Sequence, residues 1–355
     1  MASPMVSNDR TLDGMGGLAM ESVMLKLLGV LGSAGKAGAA ARWMACFTLL
    51  LAGAALAQDF PNKPLRIVIH VAPGSGTDLM TRAVGAAMAR SLGQPAVIEN
   101  RPGASGLIAW EYVARQLPAD GHSMVSGGSS HATSSIFVKE LRSDPMKDLV
   151  SVSMFAEGSQ VLVAAANAPF SSFPELINYA KANPGRVTFG SSGFAGPATL
   201  NTFSIRQRYG LDVTDVPYTG NSPARVALLS GTIQLMWYTE GEFIVDSSEK
   251  RIKGILTSAT HRPAHMADVP TAMEIGQPIA GFYYGLSVPV ATPRPAIDRL
   301  YGAIASALKQ PEVSGLAARY YLKLHGLDPD ASKTRLLELA TTYADIADKA
   351  GIKPR

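Results

Sequence analysis

The feature that most constrains this chain is an alternation of short β-rich runs with longer helical ones that occurs twice. Leu65–Val71 reads as a strand, and Asp78–Leu92 as a helix with Leu79, Ala83, Ala86, Ala87 and Arg90 at helical spacing. A strand over 96–99, a helix over 105–116 and a strand over 122–126 follow. The pattern restarts with strands at 161–166, 186–190, 213–218 and 233–238, separated by helices at 172–182, 195–209 and 223–229. A strand near 286–290 precedes helices at 296–308, 312–322 and 333–350. Such alternation predicts βαβ units, and two sets of them in 355 residues predict two α/β lobes. The last helices are free to return to the first lobe.

Charge excludes one class of partner. The formal net charge is +4, with no block of like charge and no basic–aromatic stripe, so no nucleic-acid partner is expected. The only cysteine, Cys46, lies in an apolar run from Trp43 to Leu56 that follows Arg42 and ends in Ala55-Leu56-Ala57. That run has the order of a secretory signal, with cleavage expected after Ala57 and a periplasmic destination. At about 14 residues it is shorter than the roughly 20 a membrane-spanning helix needs. An uncleaved anchor is the alternative. Residues 1–41 are long for a leader, and Met24 or Met44 are alternative starts. Without Cys46 the mature chain has neither disulfides nor cysteine metal sites.

The chemistry sits in loops after strands. Pro73-Gly74-Ser75-Gly76-Thr77-Asp78 joins the first strand to a helix. Glycines allow close backbone approach, and a helix start offers free N–H groups and a positive dipole end, which together make an anion site. Ser75, Thr77 and Asp78 can equally be helix caps, and both readings stand. Gly190-Ser191-Ser192-Gly193-Phe194-Ala195-Gly196-Pro197 repeats the arrangement in the second half. Gly127-Gly128-Ser129-Ser130-His131 and Pro217-Tyr218-Thr219-Gly220-Asn221 end two further strands. Ligands of open α/β sheets lie outside the carboxyl ends of strands, so these loops form one constellation.

Catalytic signatures are missing. There is no Gly-Lys-Ser/Thr phosphate loop, no complete dinucleotide fingerprint, no Gly-x-Ser-x-Gly elbow and no His-Glu-x-x-His. His261 and His265 are separated by Pro263, which argues for a surface loop over a zinc pair. Glu240 and Glu242 read as a solvated loop. Trp110 and Trp237 read as core, although Trp237-Tyr238 ends a strand where a cleft wall can form. No cofactor, metal or catalytic residue is assigned, and the chain is read as a binding protein. A hydrolase using the Ser/Gly loops is the alternative from another class.

Several segments resemble one family in order. Phe60-Pro61-Asn62-Lys63-Pro64, the loop at 73–78, Glu99-Asn100-Arg101-Pro102-Gly103-Ala104-Ser105-Gly106, Val216-Pro217-Tyr218-Thr219-Gly220 and Asp268-Val269-Pro270-Thr271 are similar to Bug-family proteins. These are the binding components of tripartite tricarboxylate transporters. The resemblance implies a two-lobe periplasmic binding protein fold of the type II kind. Each lobe would be a mixed, mostly parallel sheet flanked by helices, with the ligand cleft between them. The expected organisation is a leader over 1–57, a first lobe over 58–160, a second over 161–282 and a return over 283–355. The resemblance further implies a carboxylate held by two opposed loops, a membrane transporter as partner and a monomeric receptor; a sensor feeding a signalling partner is the alternative. The ligand-binding set is Ser75, Gly76, Thr77, Asp78, Ser129, Ser130, His131, Ser191, Ser192, Gly193, Pro197, Tyr218, Asn221 and Tyr238. The sequence departs from the family at His70-Val71, where Pro-Phe is usual, and at Trp237-Tyr238, where Phe-Asp is common. These departures suggest a more aromatic cleft and a bulkier acid. Gly76→Asp is expected to abolish binding by adding bulk and like charge.

Overall fold

The first strand, β1 (Leu65–Ile69), is apolar apart from Arg66 and pairs in parallel with β2 (Ala96–Asn100) and β3 (Ser123–Gly128). The computed structural model describes residues 60–191, 196–277 and 279–352. The leader assigned to 1–57 therefore lies outside the described residues.

Between β1 and β2 runs α1 (Gly76–Leu92), capped by Ser75 and stopped by Gly93 at φ 68°. Its face toward the sheet carries Met80, Val84 and Met88. Gly85 is required there: a Cβ would stand 2.8 Å from Ile67 Cδ1. Then come α2 (Leu107–Gln116), α3 (Ser130–Phe137), the short α4 (Pro145–Asp148) and the long strand β4 (Leu149–Gly158). The chain crosses through Ser159 into β5 (Gln160–Ala165). A second set follows: α5 (Phe173–Ala182), β6 (Val187–Ser191), α6 (Pro197–Tyr209), β7 (Val213–Pro217), α7 (Asn221–Leu229), β8 (Leu235–Thr239), α8 (Glu240–Ser248) and β9 (Ile252–Thr257). The chain then re-enters the first sheet as β10 (Phe282–Pro289), followed by α9 (Arg294–Ala307), α10 (Pro311–Arg319), β11 (Lys323–Leu324) and α11 (Pro329–Lys349).

Two sheets result, ordered β11-β4-β10-β3-β1-β2 and β7-β6-β8-β5-β9. Each has its own core. One gathers Ile67, Val84, Phe155 and Leu286; the other gathers Val163, Phe189, Trp237 and Ile255. The parallel share is smaller than the alternation predicts. β10 returns between β3 and β4 and runs against both, and β5 runs against β8 and β9.

Two features bind the lobes together. Asn201, fully buried on α6, donates to the Ala280 carbonyl (2.9 Å) and Gln160 Oε1 (3.1 Å) and accepts from the Ala280 N–H (2.8 Å). It therefore ties α6 to both crossover segments. Tyr343, Ile346 and Ala347 of α11 pack with Phe137 of α3 and Leu200 of α6.

Glu240 and Glu242 correct the reading of a solvated loop. They open α8, where Thr239 and Glu242 form a reciprocal capping box. Glu240 is buried, and its carboxylate accepts from Ser159 Oγ and pairs with His265 Nε2 at 2.5 Å. His265 in turn stacks on Tyr321 at 4.0 Å. The Thr-x-x-Glu spacing was the available signal.

Candidate functional site

A cavity of about 500 Å³ opens between the two sheets. The first-sheet side contributes His70 and Val71 after β1, the segment Gly103–Leu107, and Ser130 and Val138 at the two ends of α3. The opposite wall comes from Gln160, Gly196–Ala198, Pro217–Thr219 and Asn221. No Asp, Glu, Lys or Arg is among these lining residues.

The electrostatics come from the backbone. Four helices begin at the cavity: α2 at Gly106-Leu107, α3 at Ser130, α6 at Gly196-Pro197 and α7 at Asn221. None of the four has a side-chain cap among the described residues. By contrast α1, α5, α8 and α11 begin elsewhere and are capped by Ser75, Ser172, Thr239 and Asp328. Uncapped helix starts present N–H groups and positive dipole ends, so their convergence on an uncharged cavity makes an anion site. α9 and α10 also lack a side-chain cap, away from the cavity.

Local sequence explains the missing caps. Gly106, Gly196 and Gly220 hold three of the cap positions and have no side chain to offer. Ser129 holds the fourth, but its hydroxyl accepts from the Tyr283 N–H at 3.0 Å. Ser129→Ala should leave that buried N–H unpaired and lower stability by about 1–2 kcal/mol. Chemical denaturation of the variant would read this; an unchanged midpoint would mean that the bond contributes nothing.

The segment before α2 is strained. Gly103, Ala104, Ser105 and Gly106 all have positive φ, and Ala104 (46°) and Ser105 (56°) are not glycine. Left-handed backbone at such residues costs about 1–2 kcal/mol each and is typically retained at ligand sites. Gly106 is also fixed by packing: a Cβ would lie 2.7 Å from Trp110 Cζ2. The residues Pro102-Gly103-Ala104-Ser105-Gly106 carried this signal, yet none of them stands in the ligand-binding set read from the sequence.

Of that set, Ser130, Pro197, Tyr218 and Asn221 line the cavity. Ser192 and Gly193 lie outside the described residues. Ser191 is buried at the end of β6, where its carbonyl accepts the Tyr218 N–H at 2.8 Å and so positions that ring. The side chains of the loop at 74–78 are engaged by the loop and its first-sheet neighbours. Ser75 Oγ accepts from the Asp78 N–H, and the Asp78 carboxylate accepts from Gly74 N–H (2.9 Å), Arg82 Nε (2.9 Å) and Asn100 Nδ2 (2.8 Å). The capping reading therefore describes Ser75 and Asp78, and neither they nor Gly76 and Thr77 line this cavity. A Cβ on Gly76 would stand 2.5 Å from the Tyr284 hydroxyl, so Gly76→Asp would disturb packing before it met any ligand.

Two expectations of an aromatic wall need correction. Tyr238 is 1% exposed within the second core, and Trp237 is buried beside it with Nε1 donating to Thr202 Oγ1. The two residues point to opposite faces of β8, and both faces are covered. Among the described residues, the rings at the cavity are Tyr218 and His70. His131 is buried one layer behind, against Trp110 (ring centroids 4.3 Å apart), with Tyr283 Oη 3.5 Å from Nδ1. Burial pushes the His131 imidazole down to about 3 and His70 down to about 4. Both rings are neutral at physiological pH.

Residues 80–337 match the family described as the tripartite tricarboxylate transporter family receptor, TctC. This chain belongs to that family. Family members are solute-binding receptors rather than enzymes, and the uncharged cavity between two lobes is this receptor's candidate site. BugT of Bordetella pertussis is 28% identical over 84% of this chain and 92% of its own. Among solved structures, MatC from Rhodopseudomonas palustris with bound malate superposes with a TM-score of 0.77 at 28% identity, covering 81% of this chain and all of MatC. A second R. palustris protein, with adipate, gives a TM-score of 0.78 at 26% identity over 84% of this chain and all of its own.

Proposed function

We propose that this receptor captures a small organic carboxylate between its lobes in the periplasm and delivers it to a membrane transporter, without transforming it. The observation that carries the reading is the convergence of four uncapped helix starts on a cavity whose described lining residues include no charged side chain. Fixed N–H donors bind an anion without a proton transfer, which suits capture and release. A cavity of about 500 Å³ is in the range for a small-molecule site. The malate and adipate held by relatives of similar fold support an aliphatic acid over a bulky aromatic one, as does the burial of Trp237 and Tyr238. On this reading the mature chain begins after Ala57 and works as a monomer. A ligand touching both lobes favours their closed arrangement, and that shape is what the membrane partner reads.

The test is a thermal-shift screen of the purified protein against di- and tricarboxylates, aromatic acids, and their uncharged amides. A ligand at about a hundred times its Kd adds roughly 2.7 kcal/mol, enough for a shift of several degrees. The expected result is a shift with one class of acid, none with its amide, and the acid recovered unchanged. Equal shifts with the amides would refute an anion site.

A further inference from the structure

His70 is the polar side chain on the cavity wall that the family's pattern does not account for. It is 7% exposed and lines the cavity beside Val71. Its backbone N–H donates to Ser126 Oγ at 3.1 Å, and its Nδ1 lies 2.7 Å from the same oxygen. Ser126 is fully buried, so its hydroxyl proton needs an acceptor. Nδ1 is the acceptor within reach. If Nδ1 carried the ring proton instead, backbone N–H and ring N–H would both point at one oxygen and the hydroxyl proton would have none. The neutral ring therefore carries its proton on Nε2. Trp110 supports this arrangement from behind: its ring packs on His70 at 5.2 Å, and its Nε1 donates to the Ser126 carbonyl at 3.2 Å. Among the described residues, Nε2 has no hydrogen-bond partner.

We propose that His70 is a specificity-determining residue, whose Nε2–H selects organic acids bearing a second oxygen acceptor, such as the far carboxylate of a dicarboxylate. This rests on the carboxylate-receptor reading and names the ligand class within it. The helix starts hold one carboxylate. His70 is 7% exposed and the described residues offer its Nε2–H no acceptor, so the partner of that donor in the cavity is either water or an oxygen of the ligand. A site built to hydrogen-bond a group discriminates strongly against analogues lacking that group, because its own buried polar atom is then left unpaired. A neutral donor also accepts hydroxyl or keto oxygens, so the second acceptor need not be charged.

The test compares succinate, glutarate and adipate with the monocarboxylates of the same chain lengths, by calorimetry on the wild-type protein and on His70→Leu. Leucine keeps the apolar contact with Trp110 and leaves the backbone bond to Ser126 in place. Wild type is expected to prefer a dicarboxylate over its monocarboxylate by about tenfold or more, and His70→Leu to lose that preference through weaker dicarboxylate binding. An independent readout needs no variant: in protein labelled with ¹⁵N at histidine, His70 should show a protonated Nε2 whose resonance moves on saturation with the dicarboxylate. If wild type binds dicarboxylates and His70→Leu binds them equally well, or the Nε2 resonance stays still, the inference falls while the receptor reading survives. If wild type binds no carboxylate at all, both fall.

Discussion

Ser130→Asp should abolish carboxylate binding while leaving the protein folded. Ser130 opens α3 and lines the cavity, and its hydroxyl lies 3.7 Å from where a Cβ on Gly196 of the opposite wall would stand. A carboxylate there occupies the centre of the converging helix starts. At its own helix it is favourable, by about 0.3–1 kcal/mol, because it meets the positive end of the dipole. Toward an anionic ligand a few ångströms away it is repulsive, by about 3 kcal/mol at the effective dielectric of a partly screened site. Affinity should therefore drop by roughly a hundredfold or more, while the thermal midpoint of the free protein holds or rises. Calorimetric titration beside a melting curve separates the two effects. Unchanged affinity in a folded variant would place the anion elsewhere.

Stability should fall steeply as the pH drops below neutrality, even before carboxylates titrate. The cause is the pair of buried imidazoles behind the cavity. An unfolded histidine takes up a proton near pH 6.5, whereas burial holds His70 at about 4 and His131 at about 3 in the fold. Between those values the unfolded chain binds more protons, so stability rises with pH. It is fully present above about 6.5 and lost as the pH falls toward about 4, by about 3 kcal/mol for His70 and at least as much for His131. Glu242 acts with the opposite sign, because burial pushes its carboxyl up. Urea denaturation between pH 7 and pH 5 would measure the slope, and histidine resonances in the native protein would show both rings essentially neutral over that range. A flat profile, or rings that titrate near 6.5 in the folded protein, would contradict the burial argument.

Much of the fold was legible because its elements carry strong local signals. β1, α1, α5 and β6 follow from dense apolar runs, the Ser172-Phe173-Pro174-Glu175 start and the terminating Gly93. β4, β9 and α8 were missed. β4 mixes serines with apolar residues, β9 opens Ile-Lys-Gly, and α8 begins with two acids that look solvated in one dimension. In the fold, β4 is held by β10 from far along the chain, and β5 covers β9. Pairing partners that distant leave no local trace.

The site shows the same division. Glycine- and serine-rich turns after strands pointed to Ser130, Pro197, Tyr218 and Asn221, which line the cavity. What a turn does with its hydroxyls depends on neighbours that sequence spacing does not name. Ser75 closes its own helix, and Ser129 is drawn off by Tyr283 on a returning strand 154 residues away. His70 was visible only as a departure from the family, and its donor role follows from Ser126 on the adjacent strand. Trp237 and Tyr238 are adjacent on β8 and so point to opposite faces of the sheet, and packing covers both faces.

The amino-acid sequence by itself determined the class of fold, the family and the glycine turns at which helices start without side-chain caps, because strand–helix alternation and cap-poor glycine turns are local properties of the chain. Only the tertiary structure decided which helix starts converge, which hydroxyls are already engaged and which imidazole nitrogen of His70 is taken by Ser126. Those outcomes depend on hydrogen bonds and packing between segments that meet only when both sheets have formed.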